Sequence, residues 1–275
     1  MLRRSVLRGR FFAVLALIFI VAFQVSGQEP ECPDLSGKEQ LSMENESPSK
    51  TLIDMPTAAA LERGEYDFEF RIYPNGGILG GFTVGLFKRF NMGIYFGGTD
   101  VISDKPAVEW NKEPGVLVKY RLFEECRLLP ALALGFCNQG YGFYNDSLNR
   151  YLVKSKGLFV AASKNLQYLP HRDLGIHGAV NYNTTEQDDD EDFNFTLGAD
   201  LYLNEELALV AEYDFAYNDD EENSFGSGDG YFNAGIRWTF ARHLLFQFHF
   251  RDIFDNSKFS DSPSREIKIV YIEDI

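Results

Sequence analysis

Side chains alternate between apolar and charged along segments of about ten residues that begin at Glu65 and recur to the end of the chain. In the first segment Phe68 and Phe70 alternate with Asp67, Glu69 and Arg71. A repeat of two residues is typical of a β-strand whose two faces meet different surroundings. The pattern therefore predicts an all-β fold in which one face of the sheet is apolar and the other is charged.

Alternation and turn signals together predict about twelve strands, and their connections alternate between short and long. An even number of antiparallel strands with short turns at one end and longer loops at the other is characteristic of bacterial outer-membrane barrels. We therefore predict a single antiparallel up-and-down transmembrane β-barrel over residues 64–275. The predicted strands are 65–73, 78–87, 92–99, 115–123, 130–139, 156–164, 173–184, 193–203, 206–217, 231–240, 244–254 and 265–272.

The first 27 residues have the layout of an export signal. The n-region carries four arginines and precedes an apolar run at 11–23, and residues 25–27 (VSG) form a small-residue cleavage site; the arginines are Arg3, Arg4, Arg8 and Arg10. A membrane-spanning helix would need ~20 apolar residues, which is longer than this run. The segment is predicted to be a secretory signal peptide, cleaved after Gly27.

Residues 28–63 are predicted to form a flexible leader that contains a short helix. The first part is rich in Glu, Ser and Pro and has few large apolar residues, so it cannot bury enough surface to fold alone. Residues 52–64 suit a short helix, with Pro56 in the first turn and Gly64 at the end. Two roles remain open for it: a tether to the first strand, or a plug at the short-turn mouth.

Charge decides which face of the predicted barrel meets lipid. One Arg or Lys in contact with lipid at mid-bilayer costs ~2–4 kcal/mol, so several would cost more than the ~5–15 kcal/mol stability of a domain. The charged face is therefore predicted to line the lumen, and the apolar face to contact lipid. Predicted lumen residues are Asp67, Glu69, Arg71, Lys119, Arg121, His177, Asp200, Glu212, Asp214, Arg237, His249 and Arg251. Predicted lipid-facing residues are Phe68, Phe70, Val118, Phe195, Tyr213, Trp238, Phe246, Phe248 and Phe250.

A soluble secreted β-protein that binds a ligand is the inverted alternative, with the apolar face as its core and the charged face in water. Predicted strands of about ten residues are closer to the ~9–11 needed to cross a bilayer than to the ~5–6 usual in globular sheets. Tyr and Phe also concentrate near the strand ends, as in the aromatic girdle of a membrane barrel. Both features favour the membrane barrel.

Composition and motifs argue against several other functions. The net charge is −15, whereas binding to nucleic acid needs a basic surface. Three cysteines cannot all pair, so the protein is not a disulfide scaffold. No G-x-S-x-G nucleophile motif accompanies the four histidines, so we expect no enzyme, and no sequence motif indicates a cofactor.

Two acidic runs, at 188–192 and 219–222, fall in predicted long loops. Asp188, Asp190 and Asp192 have the spacing that begins a calcium loop, but Phe193 occupies the glycine position and Ala199 the final glutamate position. An EF-hand is therefore excluded, and loose binding of a divalent cation is a weak alternative. Both runs are predicted to be solvated loop tips.

Several strand and turn motifs are shared with a known family. They are residues 122–125 (LFEE), 130–135 (PALALG), 139–142 (QGYG), 150–157 (RYLVKSKG), 177–178 (HG), 230–235 (GYFNAG) and 265–266 (RE). From about residue 52 to the end, the sequence resembles the YjbH-type outer-membrane barrels. The resemblance implies a place in the outer membrane and an association with the production and secretion of exopolysaccharide.

The sequence leaves three functions open. The leading prediction is a barrel with a polar, charged lumen that assists export or surface display of exopolysaccharide, or passage of small polar solutes. The second is a structural or adhesion barrel that transports nothing, and the third is the soluble ligand-binding protein. The expected partners of the membrane barrel are outer-membrane lipid and lipopolysaccharide, with polysaccharide as the candidate cargo.

Overall fold

The computed structural model describes residues 49–126, 129–169, 172–186, 188, 190, 192–241, 243–260 and 262–274. The predicted signal peptide and most of the predicted leader lie outside these residues. Within them, every regular element is a β-strand. The strands are β1 Glu65–Tyr73, β2 Gly77–Phe87, β3 Phe90–Thr99, β4 Glu109–Trp110, β5 Gly115–Phe123, β6 Ala131–Cys137, β7 Tyr141–Asn145, β8 Arg150–Val153, β9 Gly157–Leu169, β10 Arg172–Tyr182, β11 Phe193–Tyr202, β12 Leu207–Asp214, β13 Tyr231–Phe240, β14 Leu244–Arg251 and β15 Ser264–Asp274.

Twelve of these strands close into one antiparallel barrel, in the order β1-β2-β3-β5-β6-β9-β10-β11-β12-β13-β14-β15. The ring closes where β15 pairs with β1, for example Phe70 opposite Ile269. Each barrel strand is therefore hydrogen-bonded to its predecessor and its successor among the barrel strands. The predicted all-β, up-and-down barrel of about twelve strands is confirmed.

The two ends of the barrel differ. At the short-turn end, β2 and β3 are joined by Lys88 and Arg89, and β13 and β14 by residues 241–243. At the long-loop end, the connections include residues 100–114, 138–156, 183–192, 215–230 and 252–263. Three short strands lie in these long connections: β4 pairs with the end of β3, and β7 pairs with β8. These three strands were not predicted.

The barrel wall is polar inside and apolar outside, as β14 shows. Gln247 and His249 are 1% and 0% exposed, whereas the alternating Phe248 and Phe250 are 38% and 37% exposed. Burial of a polar group is tolerated only where it finds hydrogen-bond or ion-pair partners. Inside a narrow barrel such partners come from the opposite wall and from any chain within the lumen.

The helix predicted at residues 52–64 is wrong. Thr51 instead forms an antiparallel bridge with Pro56, the backbone N–H of Leu52 donates to the carbonyl of Met55 at 2.9 Å, and that of Thr57 donates to Lys50 at 3.1 Å. The chain therefore makes a narrow turn and doubles back. We call residues 49–64 the inner segment. Within the described ranges we find no helix long and apolar enough to cross a membrane.

Candidate functional site

The inner segment lies inside the barrel. Leu52, Ile53 and Met55, at its turn, are each 0% exposed and belong to one apolar cluster with wall residues such as Val210. The wall has no side chain at Gly198, where an added Cβ would come within 2.4 Å of the Leu52 side chain. The wall and the segment are therefore closely fitted, and the lumen is filled at this level.

Glu212 on β12 holds the turn. Its carboxylate accepts backbone N–H groups from Ile53 at 3.1 Å, Asp54 at 3.1 and 3.2 Å, and Met55 at 3.0 Å. Asn233 on β13 donates to the same carboxylate at 3.0 Å. Hydrogen bonds from several N–H groups stabilise a buried carboxylate and at the same time satisfy donors of an irregular turn.

Asp54, at the tip of the turn, is the centre of a buried ion-pair network. Arg71 on β1 reaches its carboxylate at 2.5 Å and Arg251 on β14 at 2.8 Å. The Tyr141 hydroxyl donates to it at 3.0 Å, and Glu266 on β15 pairs with both arginines at 3.2 and 3.4 Å. Removing one partner from a buried network leaves an uncompensated charge, which costs roughly 3–5 kcal/mol.

Basic residues fix the first arm of the segment. Lys50 lies 2.6 Å from Asp67 and 3.5 Å from Glu69, and it donates to Thr83 at 2.7 Å. From the opposite direction, Lys119 donates to the Lys50 carbonyl at 3.1 Å. The wall charges on β1 are therefore neutralised by the segment itself.

Two further wall residues bind carbonyls at the turn. Lys268 on β15 donates to the Ile53 carbonyl at 3.1 Å and to the hydroxyl of Thr51 at 2.9 Å. Arg237 on β13 donates to the Leu52 carbonyl at 3.4 Å. Backbone groups of the turn that cannot pair with one another are thus satisfied by charged side chains of the barrel.

The return arm is anchored near the short-turn end. The backbone N–H and C=O of Leu61 both bond to the amide of Asn91 at 2.8 Å. An added Cβ at Gly85 would lie 1.9 Å from the Glu62 carbonyl oxygen, so only glycine fits there. Higher in the lumen, the backbone N–H of Ala58 donates to the Ser163 hydroxyl at 2.9 Å.

Ser163 also begins a chain of side chains of the types used by serine hydrolases. Its hydroxyl is 2.9 Å from His177 Nδ1, His177 Nε2 is 3.3 Å from Asp200, and Arg237 pairs with Asp200 at 3.0 Å. Catalysis by such a set needs a hydroxyl that substrate can reach. Ser163 is only 7% exposed and accepts the Ala58 N–H, so in this state the set anchors the inner segment.

A second buried network lies at the long-loop end. Arg150 on β8 is 0% exposed and pairs with Asp188 at 2.9 Å and with Asp219 at 2.5 Å. Lys154 pairs with Asp188 at 2.6 Å, and the Tyr231 hydroxyl donates to Asp219 at 2.7 Å. Three long connections are therefore tied together around one arginine.

These contacts correct the prediction of solvated loop tips. Asp188, Asp190 and Asp219 are buried because they have cationic or backbone partners, and Asp190 accepts from Ser224 Oγ at 2.9 Å. Asp192, the third weak metal candidate, is exposed. Among the described residues, no group of three or more His, Cys, Asp or Glu is placed to hold a metal ion. Asp220, Glu221 and Glu222 are exposed, as predicted.

Aromatic rings add an apolar cap to this network. Phe225 packs against Phe143 and Phe259 with ring centroids 5.7 and 4.7 Å apart, and the Arg150 guanidinium lies 4.4 Å from the Phe225 ring. Such contacts exclude water from the ion pairs below them, which strengthens those pairs. The long loops are thus a packed layer.

Glu186, in the loop between β10 and β11, is buried beside this layer. Its Oε2 accepts the Ser155 backbone N–H at 3.1 Å and the Asn183 side-chain amide at 3.3 Å, while its buried Oε1 has no hydrogen-bond partner in the part of the chain that the structure describes. Burial raises the pKa of Glu186 to about 7, and nearby Arg150 and Lys154 only partly oppose this rise. The carboxyl therefore changes charge near neutral pH.

Between the inner segment and the long loops lies a cavity of about 430 Å³. We call it the upper cavity. Asp54 and Arg251 lie at its floor, and Phe143 and Phe259 lie on the loop side. The cavity is therefore separated from the short-turn end by the inner segment.

The structure places the residues predicted from the sequence as follows. Of the twelve predicted lumen residues, ten are buried, and Asp214 and Arg251 are half-buried.

Among the predicted lipid-facing residues, Tyr213 and Phe246 are half-buried. Val118 departs from the prediction, because it is 2% exposed. Its register partners Met92 and Phe136 are longer side chains, and a valine between them offers little surface. The predicted lipid-facing residues that are exposed are Phe68, Phe70, Phe195, Trp238, Phe248 and Phe250.

Comparison with known proteins gives distant structural similarities. No protein-family model and no curated protein matches the chain, so the resemblance to YjbH-type barrels stays a prediction. The solved structures it resembles include the KdgM porin, with 9% identity over 77% of this chain and 99% of that one and a TM-score of 0.48. Omp33 of Acinetobacter baumannii has 9% identity over 77% and 97% of the two chains and a TM-score of 0.41. These values are too low to assign a relative, and function has to be inferred from the chain's own geometry.

Proposed function

We propose that this chain is a β-barrel of the bacterial outer membrane whose lumen is closed, in its resting state, by its own inner segment. The exterior supports the membrane part of the proposal. Phe68, Ile94 and Leu197 are 53%, 56% and 57% exposed in mid-strand positions, while Lys119 and Arg237 are both 2% exposed. In water, the folded protein would forgo a stabilisation of roughly 25 cal/mol for each Å² of apolar surface that stays exposed. In lipid there is no such loss.

A soluble secreted protein would need the opposite arrangement. The charged face would have to meet water, yet Lys268 and Glu266 are each 1% exposed within the barrel. We therefore propose outer-membrane lipid and lipopolysaccharide as the partners of the barrel exterior. We also propose that export uses the predicted signal peptide, and the test is N-terminal sequencing of the mature protein, which should begin at Gln28.

The observation that carries the closure is the set of contacts from four strands of the wall, β12, β13, β15 and β1, to one short turn. Glu212, Lys268, Arg71 and Arg237 all bind residues 52–54, whose apolar side chains fill the remaining space. A solute crossing the barrel must therefore displace the inner segment. We infer that small polar solutes pass only after the segment has moved, through a lumen lined by the charges it uncovers.

A permanently closed structural barrel is the second candidate. The packed layer of long loops around Arg150 favours it, because this layer restricts the other end of the same lumen. The two candidates differ in what happens when the inner segment is removed. A barrel closed only by the segment then conducts, whereas a barrel closed also by its loops stays silent.

Planar-bilayer conductance separates these outcomes. The intact refolded chain should be silent, and a variant lacking residues 49–61 should give repeated current steps. A difference in gel migration between boiled and unboiled samples establishes for each protein that a stable barrel has formed. Steady current through the intact chain would overturn the closure. Silence of the folded deletion variant would favour the structural barrel.

A role in export or surface display of exopolysaccharide is a finer proposal, and it is supported only by the resemblance to YjbH-type barrels. A deletion strain should secrete less polysaccharide or polysaccharide of changed composition, and the intact gene should restore it. A strain with unchanged amount and composition would contradict the role without affecting the closure.

A further inference from the structure

We propose that the upper cavity is a binding site for a small, neutral, polyhydroxylated molecule of the size of a mono- or disaccharide. The proposal depends on the lining of the cavity and does not require the inner segment to move. Its volume of about 430 Å³ falls in the ~300–1,000 Å³ range of small-molecule sites. The cavity lies at the long-loop end, so a ligand reaches it without crossing the barrel.

The charges around the cavity indicate a neutral ligand. Lys156 is paired with Asp214 at 2.7 Å, and Arg251 with Asp54 at 2.8 Å. The other lysine that lines the cavity, Lys154, is paired with Asp188 at 2.6 Å. Asp252 also lines the cavity and accepts the backbone N–H groups of Asn256 and Ser257 at 2.8 Å, whereas Arg265 is exposed and alternates with the buried Glu266. A ligand with a net charge would have to take a partner away from one of these carboxylates or cations, at a cost that a neutral ligand avoids.

The uncharged part of the lining suits hydroxyl groups. Amides of Asn181, Asn194 and Asn233 line the cavity. The oxygen of each already accepts one hydrogen bond within the protein and can accept a second from a ligand hydroxyl. Arg251 adds a buried Nε–H that has no hydrogen-bond partner among the described residues and that an oxygen of a ligand could satisfy. Buried donors of this kind give a site its selectivity, because only a ligand with a matching acceptor avoids the desolvation cost.

Aromatic rings complete the site. Tyr141 and Phe143 on β7, together with Phe259 and Tyr231, line the same cavity. A sugar or similar polyol presents hydroxyls at its edge and C–H groups on its faces, so it matches a site that combines amides with aromatic surfaces. A purely apolar ligand would leave the Arg251 Nε–H without a partner, and an ion would disturb the pairs.

Titration calorimetry on the refolded full chain tests the proposal with three probes of matched size. The probes are the neutral disaccharide maltose, the anionic digalacturonate and the cationic glucosamine dimer. Maltose should bind about tenfold more tightly than either charged probe, which corresponds to about 1.4 kcal/mol. The proposal is overturned if maltose does not bind at millimolar concentration, or if a charged probe binds more tightly.

Two variants test the role of charge pairing. Lys156→Gln leaves Asp214 without its partner and should increase affinity for the cationic probe about tenfold, while Asp214→Asn should do the same for the anionic probe. A merely structural role of this pair would change neither preference. Unchanged preferences in both folded variants would therefore count against the proposal.

A third variant tests the location. Ser264→Trp places a large side chain at the cavity wall and should abolish maltose binding, whereas Ser103→Trp, on an exposed loop away from the cavity, should not. Both variants must keep the difference in gel migration that marks a folded barrel. Equal maltose binding by the two variants would place the site elsewhere.

Discussion

Glu212 accepts the backbone N–H of Asp54 with both of its carboxylate oxygens, at 3.1 and 3.2 Å, across a separation of 158 positions in the sequence. The strand that carries Glu212 is part of the barrel wall, whereas Asp54 lies at the tip of the inner segment. A wall carboxylate thus supplies the hydrogen-bond acceptor that the N–H groups of the turn do not find within the turn itself. This is the contact that most directly couples the segment to the barrel.

Glu212→Ala should release the turn of the inner segment. The N–H groups of Ile53, Asp54 and Met55 would lose their acceptor, at roughly 1–3 kcal/mol for each buried group left unsatisfied. We expect current steps in planar bilayers from a barrel that still folds. Glu205→Ala, on the exposed turn before the same strand, is the control and should stay silent. Equal behaviour of the two variants would contradict the anchoring role of Glu212.

Phe248→Arg should destabilise the barrel in lipid vesicles by ~2–4 kcal/mol, because Phe248 lies outward and near the middle of β14. The measurement is equilibrium unfolding by urea in the presence of lipid. Phe254→Arg, in the loop after that strand and 65% exposed, should cost only ~0–1 kcal/mol. If both substitutions were tolerated equally, and the protein stayed in buffer without detergent, the membrane proposal would be wrong.

Arg150→Ala should loosen the layer of long loops. Two buried carboxylates, of Asp188 and Asp219, would lose their common partner, at a cost of roughly 3–5 kcal/mol. Limited proteolysis should then cut within residues 183–192 or 215–230 while the barrel strands stay protected. Lys112→Ala removes a pair with Asp146 in which both side chains are more than half exposed, and it should change little. Resistance of the Arg150 variant to protease would show that the layer does not depend on this arginine.

The long-loop layer should become less stable as pH rises through neutrality. Glu186 has a pKa raised from its ordinary value of 4.5 to about 7, so the folded state binds its proton more tightly than the unfolded state does. This contribution is fully present below about pH 4.5 and is lost as pH rises through about 7. Proteolysis of the loops should therefore be faster at about pH 8 than at about pH 5.

Glu186→Gln keeps the side chain neutral and should remove most of this pH dependence, since the amide oxygen can still accept the Ser155 N–H. Glu221→Gln changes an exposed carboxyl of a neighbouring loop and should keep the behaviour of the intact chain. A pH profile that is the same for all three proteins would exclude Glu186 as its source.

The strands could be predicted because each one carries its own signal. Alternation and turn signals together give β1, β5 and β13 with the residues at which they begin and end in the structure. A strand that separates two different media must alternate between apolar and polar side chains, so its sequence assigns each residue to one of the two faces of the sheet. The last strand carries the same signal for two residues that were not predicted. Glu266 and Lys268 alternate with Ile267 and Ile269, so the same pattern marks them as lumen residues.

The inner segment could not be predicted in the same way. Pro56 and Gly64 fit the ends of a helix, and local preference gave no reason to reject one. The observed turn is held by partners more than 150 residues away, such as Glu212 and Lys268, and such partners leave no periodic pattern near the turn. The same holds for Arg150, which is buried only because two distant loops supply its carboxylates.

The seam between the first and last strands sets an order of events during biogenesis. Lys268 belongs to β15, which is synthesised last and pairs with β1, and it also binds Thr51 and Ile53 of the inner segment. Asp67 and Arg71 of β1 bind the segment from the other side of the same seam. The complete set of contacts that holds the inner segment therefore exists only after β15 has paired with β1.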